Sequence, residues 1–267
     1  MLPKERVKAA MDLEKPDRTP LMCQFSIGHM LMQLNVSPSE FWFDAGVYEK
    51  GLLELREIYD FDGILISLFG HDPFWRKEVV NIEPFGDGEK IEWKNGDITY
   101  CLKNDLPQYE FKFQPVSPEI SELTEETLPQ SIHYIPVSQN LHFKIQQEHK
   151  FDIIRNILNK TGNKYSIHGE ITSPFDYMLD LLGIQNALLY LLMEPEKCRL
   201  ILNHFTKLLK NLAAEMCQTG IDAVKISSPF AGSGFISPSD YAEFVLPFEK
   251  EIAEEIRMNG VHVYTHT

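Results

Sequence analysis

The sequence predicts an α/β fold built on a parallel sheet, and three observations carry that prediction. Short apolar runs of strand length recur along the chain, stretches of helical period separate them, and outside one hairpin-like insertion no strand run directly follows another. A closed barrel and an open doubly wound sheet both satisfy this alternation. At 267 residues, 43% hydrophobic and 24% charged, the chain has enough apolar material for one large barrel or two small domains.

Residues 4–14 read as a helix that stops before Lys15-Pro16-Asp17-Arg18-Thr19-Pro20, because proline disfavours helix at its predecessor. Leu21 to Phe25 is a first strand candidate. A helix from about Phe43 to Tyr59 leads to a better one, Phe61 to Leu68. Between Val79 and Leu102 two β-type runs surround Phe85-Gly86-Asp87-Gly88 and Asn95-Gly96-Asp97, whose glycines supply the positive φ of tight turns, so an antiparallel hairpin is inserted near 79–103. A proline-punctuated acidic connector runs from Gln114 to Pro136, with Glu119, Glu122, Glu125 and Glu126 as a solvated face. Helix is expected from near Gln139 to about Thr161, then a third strand from Tyr165 to Gly169.

Pro195 opens the clearest helix. Cys198, Ile201, Leu202, Phe205, Leu208, Leu209, Leu212, Ala213 and Met216 recur at steps of three and four, so one face is buried, and Gly220 suits the far end. Ile221 to Ile226 is strand four. Ser237-Pro238 supplies an N-cap and a first-turn proline, and Pro247 restarts the helix that ends at Asn259-Gly260. Val261 to Thr267 is strand five.

Composition narrows function. Lys and Arg number 25 against 39 Asp and Glu, a formal charge of -14 that argues against nucleic acid as a partner. Cys23, Cys101, Cys198 and Cys217 form no close pair, which suits reduced thiols and a cytoplasmic location. The start of the chain lacks the basic and apolar regions of a signal peptide, and the greasy run from Leu179 to Met193 is interrupted by polar residues, so no membrane association is expected.

Several segments in order carry a resemblance. They are Glu5-Arg6-Val7-Lys8-Ala9-Ala10-Met11 with Glu14 to Leu21, then Gly169-Glu170-Ile171-Thr172-Ser173-Pro174-Phe175, Glu194-Pro195-Glu196 and Gly220-Ile221-Asp222-Ala223. Ile236-Ser237-Pro238 with Tyr241, Phe244, Val245 and Pro247 follow, and His266 comes last. The chain resembles the uroporphyrinogen decarboxylase superfamily, most closely its cobalamin-linked methyltransferase branch. The resemblance implies a TIM-type (β/α)₈ barrel with its site at the C-terminal strand ends. About the first five β/α units are expected here, in a single partial domain spanning 1–267. The chain is therefore expected to be a fragment, inactive in this form, and the apolar edge Val261 to Tyr264 would otherwise be an aggregation site.

The decarboxylase carries an arginine-bearing loop after strand one, because its polycarboxylate substrate needs cationic partners. This chain has Met22-Cys23-Gln24-Phe25-Ser26-Ile27-Gly28-His29 there. The aspartate that ends strand two in the family is also absent; Leu68 follows Ser67, and the nearest acid is Asp72. Asp180 stands where the family's tyrosine is expected, with Tyr177 off register. In the methyltransferase branch a His-x-Cys pair and a later ligand hold zinc, which lowers a thiol's pKa so that a thiolate can attack a methyl group on a corrinoid.

The resemblance makes His266 the first zinc ligand, with a cysteine expected two residues later. Methyl transfer between a corrinoid, free or on a partner protein, and a small thiol is the leading expectation. A cofactor-free decarboxylase of porphyrin biosynthesis and a non-catalytic corrinoid or metabolite-binding barrel are the rivals. Gln24, Ser26, His29, Ser67, His168, Glu170, Ser228 and Ser233 are the candidate pocket residues; the plainer reading of Ser228 and Ser233 is as caps of turns, and that of His168 and Glu170 is as a local structural pair. His262 shares the strand face of His266 but lies deeper, and Cys23 reads as core.

Overall fold

The computed structural model describes residues 1–114, 116–138 and 141–267. In chain order it has helices α1 (Pro3–Met11), α2 (Ile27–Gln33), α3 (Pro38–Phe43) and α4 (Ala45–Tyr59), then strands β1 (Gly63–Ile66), β2 (Val79–Phe85), β3 (Gly88–Trp93), β4 (Ile98–Cys101) and β5 (Gln108–Glu110). Strands β6 (Tyr134–Ser138) and β7 (Leu141–Lys144), helix α5 (Asp152–Thr161) and strand β8 (Ser166–Thr172) follow. The remainder is α6 (Pro174–Leu182), α7 (Ile184–Met193), α8 (Pro195–Cys217), β9 (Ala223–Ser227), α9 (Pro238–Phe244), α10 (Leu246–Met258) and β10 (His262–His266). The chain divides into two compact units, Met1–Pro115 with Lys144–Ile167, and Val116–Phe143 with His168–Thr267.

In the first unit, the turn that stops α1 holds a charge network. Asp62, fully buried at the start of β1, accepts Arg6 Nη1 at 2.5 Å, Arg18 Nη1 at 2.9 Å and the Leu21 amide at 2.7 Å, while Asp17 takes Arg6 Nε at 2.6 Å. This explains why Leu21 to Phe25 is not a strand. Its first residue is tied to Asp62 through both side chain and backbone, and Ser26 already caps α2. Helix α4 starts later than expected, because Asp44 caps it through the amides of Gly46 and Val47.

The inserted hairpin is present and longer than its prediction. β2, β3, β4 and β5 form an antiparallel meander with Gly86 and Gly96 at φ of 59° and 90° in its turns. Trp75, Ile91 and Cys101 make its core, with Phe43, Val79, Ile82 and Trp93 packed around them. The first two residues of β8 belong to this unit, where the Ser166 amide donates to Asp62 O at 3.1 Å.

The helix expected from near Gln139 begins only at Asp152, and Gln139 lies outside the described residues. Leu141 and Phe143 are buried while His142 and Lys144 are exposed, a period of two that makes β7 a strand. In the second unit, the run from Leu179 to Met193 is split between α6 and α7 at Gly183, whose φ is 77°. α8 buries the predicted stripe except Leu208, which is only partly buried. Ser237 caps α9 within a capping box, and the break before Pro247 separates α9 from α10. β8, β9 and β10 are neighbours in that order and parallel, as the alternation predicts. Among the described residues no helix is long and apolar enough to cross a membrane.

Candidate functional site

Parallel register sets the chemistry of one sheet face. His168 lies opposite Ala223, and Ala223 opposite His262. Glu170, Lys225 and Tyr264 align next, then Thr172, Ser227 and His266. Side chains two residues apart share a face, so these three rows stack along the strands at about 6.6 Å steps. The intervening residues face α8, since a Cβ on Gly169 would come 2.4 Å from the sulfur of Met216. The sequence thus puts polar groups on one face and Ile171, Val224 and Ile226 on the other.

The middle row is a buried ion pair. Lys225 Nζ stands 3.3 Å from Glu170 Oε2, with the two side chains 3% and 11% exposed. Tyr264 shares a 3.1 Å hydrogen bond with His168 Nδ1. Burial pushes His168 down to about 4, against the pull of Asp222 and with a further push from His262, so the imidazole is neutral at pH 7. Burial and Glu170 raise the Tyr264 phenol above its ordinary value. The outer row ends in the exposed side chain of His266, and His262 lies deeper on the same face, as expected.

The strand ends are locked by backbone bonds. The Ser173 amide donates to Ser227 O at 2.8 Å and the Ser228 amide to His266 O at 2.8 Å. Just beyond, Ser173 Oγ donates to Asp176 Oδ2 at 2.6 Å, while Ser228 Oγ lies 2.9 Å from Ser173 Oγ and 3.2 Å from the same carboxylate oxygen. Asp176 occupies the first turn of α6 and is pushed up to about 6 by burial. Glu249 on α10, also buried, is pushed up to about 7 by burial and by Asp176.

Of the expected pocket residues, His168 and Glu170 share the polar face with His266. Ser228 is fully buried in the Asp176 cluster, and Ser233 is exposed in a turn. In the first unit, Gln24 and Ser67 line one cleft open to solvent, with Cys23, Phe25, Met30 and Arg56 among its walls. Cys23 is exposed, which overturns its reading as core. Ser26 caps α2 through the His29 amide, and His29 Nε2 lies 2.8 Å from Tyr59 Oη.

Asp180 near the end of α6 takes a hydrogen bond from Tyr134 Oη and another from His142 Nε2, both at 2.8 Å. Among the described residues no group of three His, Cys, Asp or Glu side chains could hold a metal ion, so the residues present do not make a zinc site around His266. Sequence reasoning missed Lys225, Tyr264, Asp176 and Glu249. A lysine between Val224 and Ile226 was the available signal, because a charge amid strand hydrophobics requires a partner.

A family model for uroporphyrinogen decarboxylase (URO-D) matches residues 110–267, more than half of the chain. Uroporphyrinogen decarboxylase of Prochlorococcus marinus (strain NATL1A) is 25% identical over 123 residues, covering 42% of this chain and 34% of that one. The methylated-thiol–coenzyme M methyltransferase of Methanosarcina mazei is 23% identical over 117 residues, covering 42% and 32%. The chain spans about a third of the length of the curated relatives it matches. A solved methyltransferase from Methanosarcina mazei superposes on all of this chain and 69% of its own at a TM-score of 0.68 and 15% identity, a likeness of fold. On the extent of the family match, the chain belongs to the uroporphyrinogen decarboxylase (URO-D) family.

Proposed function

We propose that the chain is part of a (β/α)₈ barrel on the methyltransferase side of its family. In this reading the protein moves a methyl group between a corrinoid, free or protein-bound, and a small thiol, with His266 as one zinc ligand. Among the described residues the donor set around His266 is incomplete. The observation that carries the reading is the charge balance of the polar face. Lys225 already spends its charge on Glu170, and His168 is held neutral by burial. A substrate bearing many carboxylates needs several unspent cations. Near the end of α6, Asp180, oriented by Tyr134 and His142, stands where the decarboxylase pattern has a tyrosine. The face suits a ligand of little charge, entering past Thr172, Ser227 and His266.

An absorbance titration with methylcobalamin tests this. Saturable binding by the 267-residue chain, weakened about tenfold or more by Thr172→Tyr, which crowds the outer row, is the expected result. Absence of saturable binding, or binding indifferent to that substitution, removes the face from the reading.

A further inference from the structure

Two hydroxyls at the outer end of the polar face are engaged in no bond of the fold. Thr172 and Ser227 are the last residues of β8 and β9, lie opposite each other in register, and are only 8% and 7% exposed. The Lys225–Glu170 contact one row below fixes the side on which both point, because residues two apart share a face. Among the described residues neither hydroxyl makes a hydrogen bond, and neither does the imidazole of His266 at the end of β10. Their chain neighbours behave differently. Ser173 Oγ donates to Asp176 Oδ2 at 2.6 Å, and Ser228 Oγ is taken up by Ser173 Oγ and the same carboxylate oxygen. A largely buried hydroxyl without a partner is unfavourable until a ligand supplies one.

The pair is rigidly held and uncharged. The Ser173 amide on Ser227 O and the Ser228 amide on His266 O, both at 2.8 Å, lock the three strand ends in register. Adjacent strands place the two hydroxyls roughly 5 Å apart, close enough for one small polar group to bond both. No lysine or arginine stands in this row; Lys225, one row below, is paired with Glu170. Asp176 lies just behind both hydroxyls, bonded to Ser173 and Ser228, the residues that follow them. An anionic head group would therefore meet a carboxylate and no cation of its own. A hydroxyl both donates and accepts, and the uncharged group that does the same is a primary amide, with one carbonyl oxygen and one NH₂.

We propose that Thr172 and Ser227 form a seat for a primary amide, and that its ligand is the corrinoid of the methyltransferase reading above, on which that identity rests. The corrin ring is rimmed by primary amide side chains. One of them, bonded by both hydroxyls, brings the edge of the ring over the outer row beside His266. The two residues thus set the affinity and orientation of the corrinoid, not the chemistry of methyl transfer.

Thr172→Val and Ser227→Ala remove the hydroxyls and test the seat in two ways. Without ligand, both variants of the 267-residue chain keep the wild-type urea midpoint, because no bond inside the protein is lost. A midpoint lowered in both means that the hydroxyls serve the fold, and overturns the proposal. In absorbance titrations, methylcobalamin binds each variant about threefold to tenfold more weakly than the wild type. Methylcobalamin whose rim amides are hydrolysed to carboxylates binds the wild type more weakly again, by about tenfold or more, since like charges then face Asp176. Methylcobalamin binding indifferent to both substitutions overturns the seat and leaves the methyltransferase reading standing. Absence of methylcobalamin binding by the wild type overturns that reading and the seat together. Tighter binding of the hydrolysed form overturns the uncharged seat.

Discussion

Replacing Asp62 by Asn is expected to be among the most damaging single changes in the first unit. Its carboxylate, 1% exposed, accepts from Arg6 at 2.5 Å, from Arg18 at 2.9 and 3.0 Å, and from the Leu21 amide at 2.7 Å. Asparagine retains one acceptor oxygen but turns an amide toward two guanidinium groups. Arg6 keeps Asp17, whose carboxyl it holds well below the usual range, yet the inner end of Arg6 loses its counter-charge. Removing one partner of a buried pair costs about 3–5 kcal/mol, and the surviving Asp17 contact puts the expectation at about 3 kcal/mol. Trp42, Trp75 and Trp93 all fall in this unit, so tryptophan fluorescence during urea unfolding reads the loss directly. A change below about 1 kcal/mol, the scale of an exposed pair, would refute the reasoning.

The buried ion pair of the second unit should behave as a coupled unit. Lys225→Met is expected to cost about 3 kcal/mol in urea unfolding, and adding Glu170→Gln should recover much of it; additive losses would contradict the pairing. His168, lowered from 6.5 to about 4, contributes stability that is full above pH 6.5 and is lost as pH falls toward about 4. The advantage of wild type over His168→Gln should therefore shrink by about 3 kcal/mol between pH 7 and pH 4, measured by urea midpoints. A pH-independent difference would mean that the imidazole is solvated.

Local signals made most of the second unit legible. The stripe on α8, the Ser237-Pro238 start of α9 and the break at Pro247 are each written in adjacent residues, and the structure follows them. The chain failed as a guide where long-range partners decide. Leu21 to Phe25 has strand composition, but Asp62, some forty residues away, takes its first amide. Leu141 to Lys144 resembles the start of a helix until its pairing with β6 selects the period of two. Similarly, Glu170, Lys225 and Tyr264 become one row only through parallel register, which no single segment encodes. His266 was singled out through resemblance and lies at the end of β10, and among the described residues no companions complete a metal site there.

Competition between two ligands addresses the central claim most directly. The 267-residue chain is saturated with methylcobalamin, and uroporphyrin, which carries many carboxylates, is added while bound corrinoid is followed by equilibrium dialysis. With Lys225 committed to Glu170, uroporphyrin should fail to displace the corrinoid at equal concentration. Displacement by uroporphyrin that disappears in Lys225→Met would contradict the account and favour the decarboxylase side of the family.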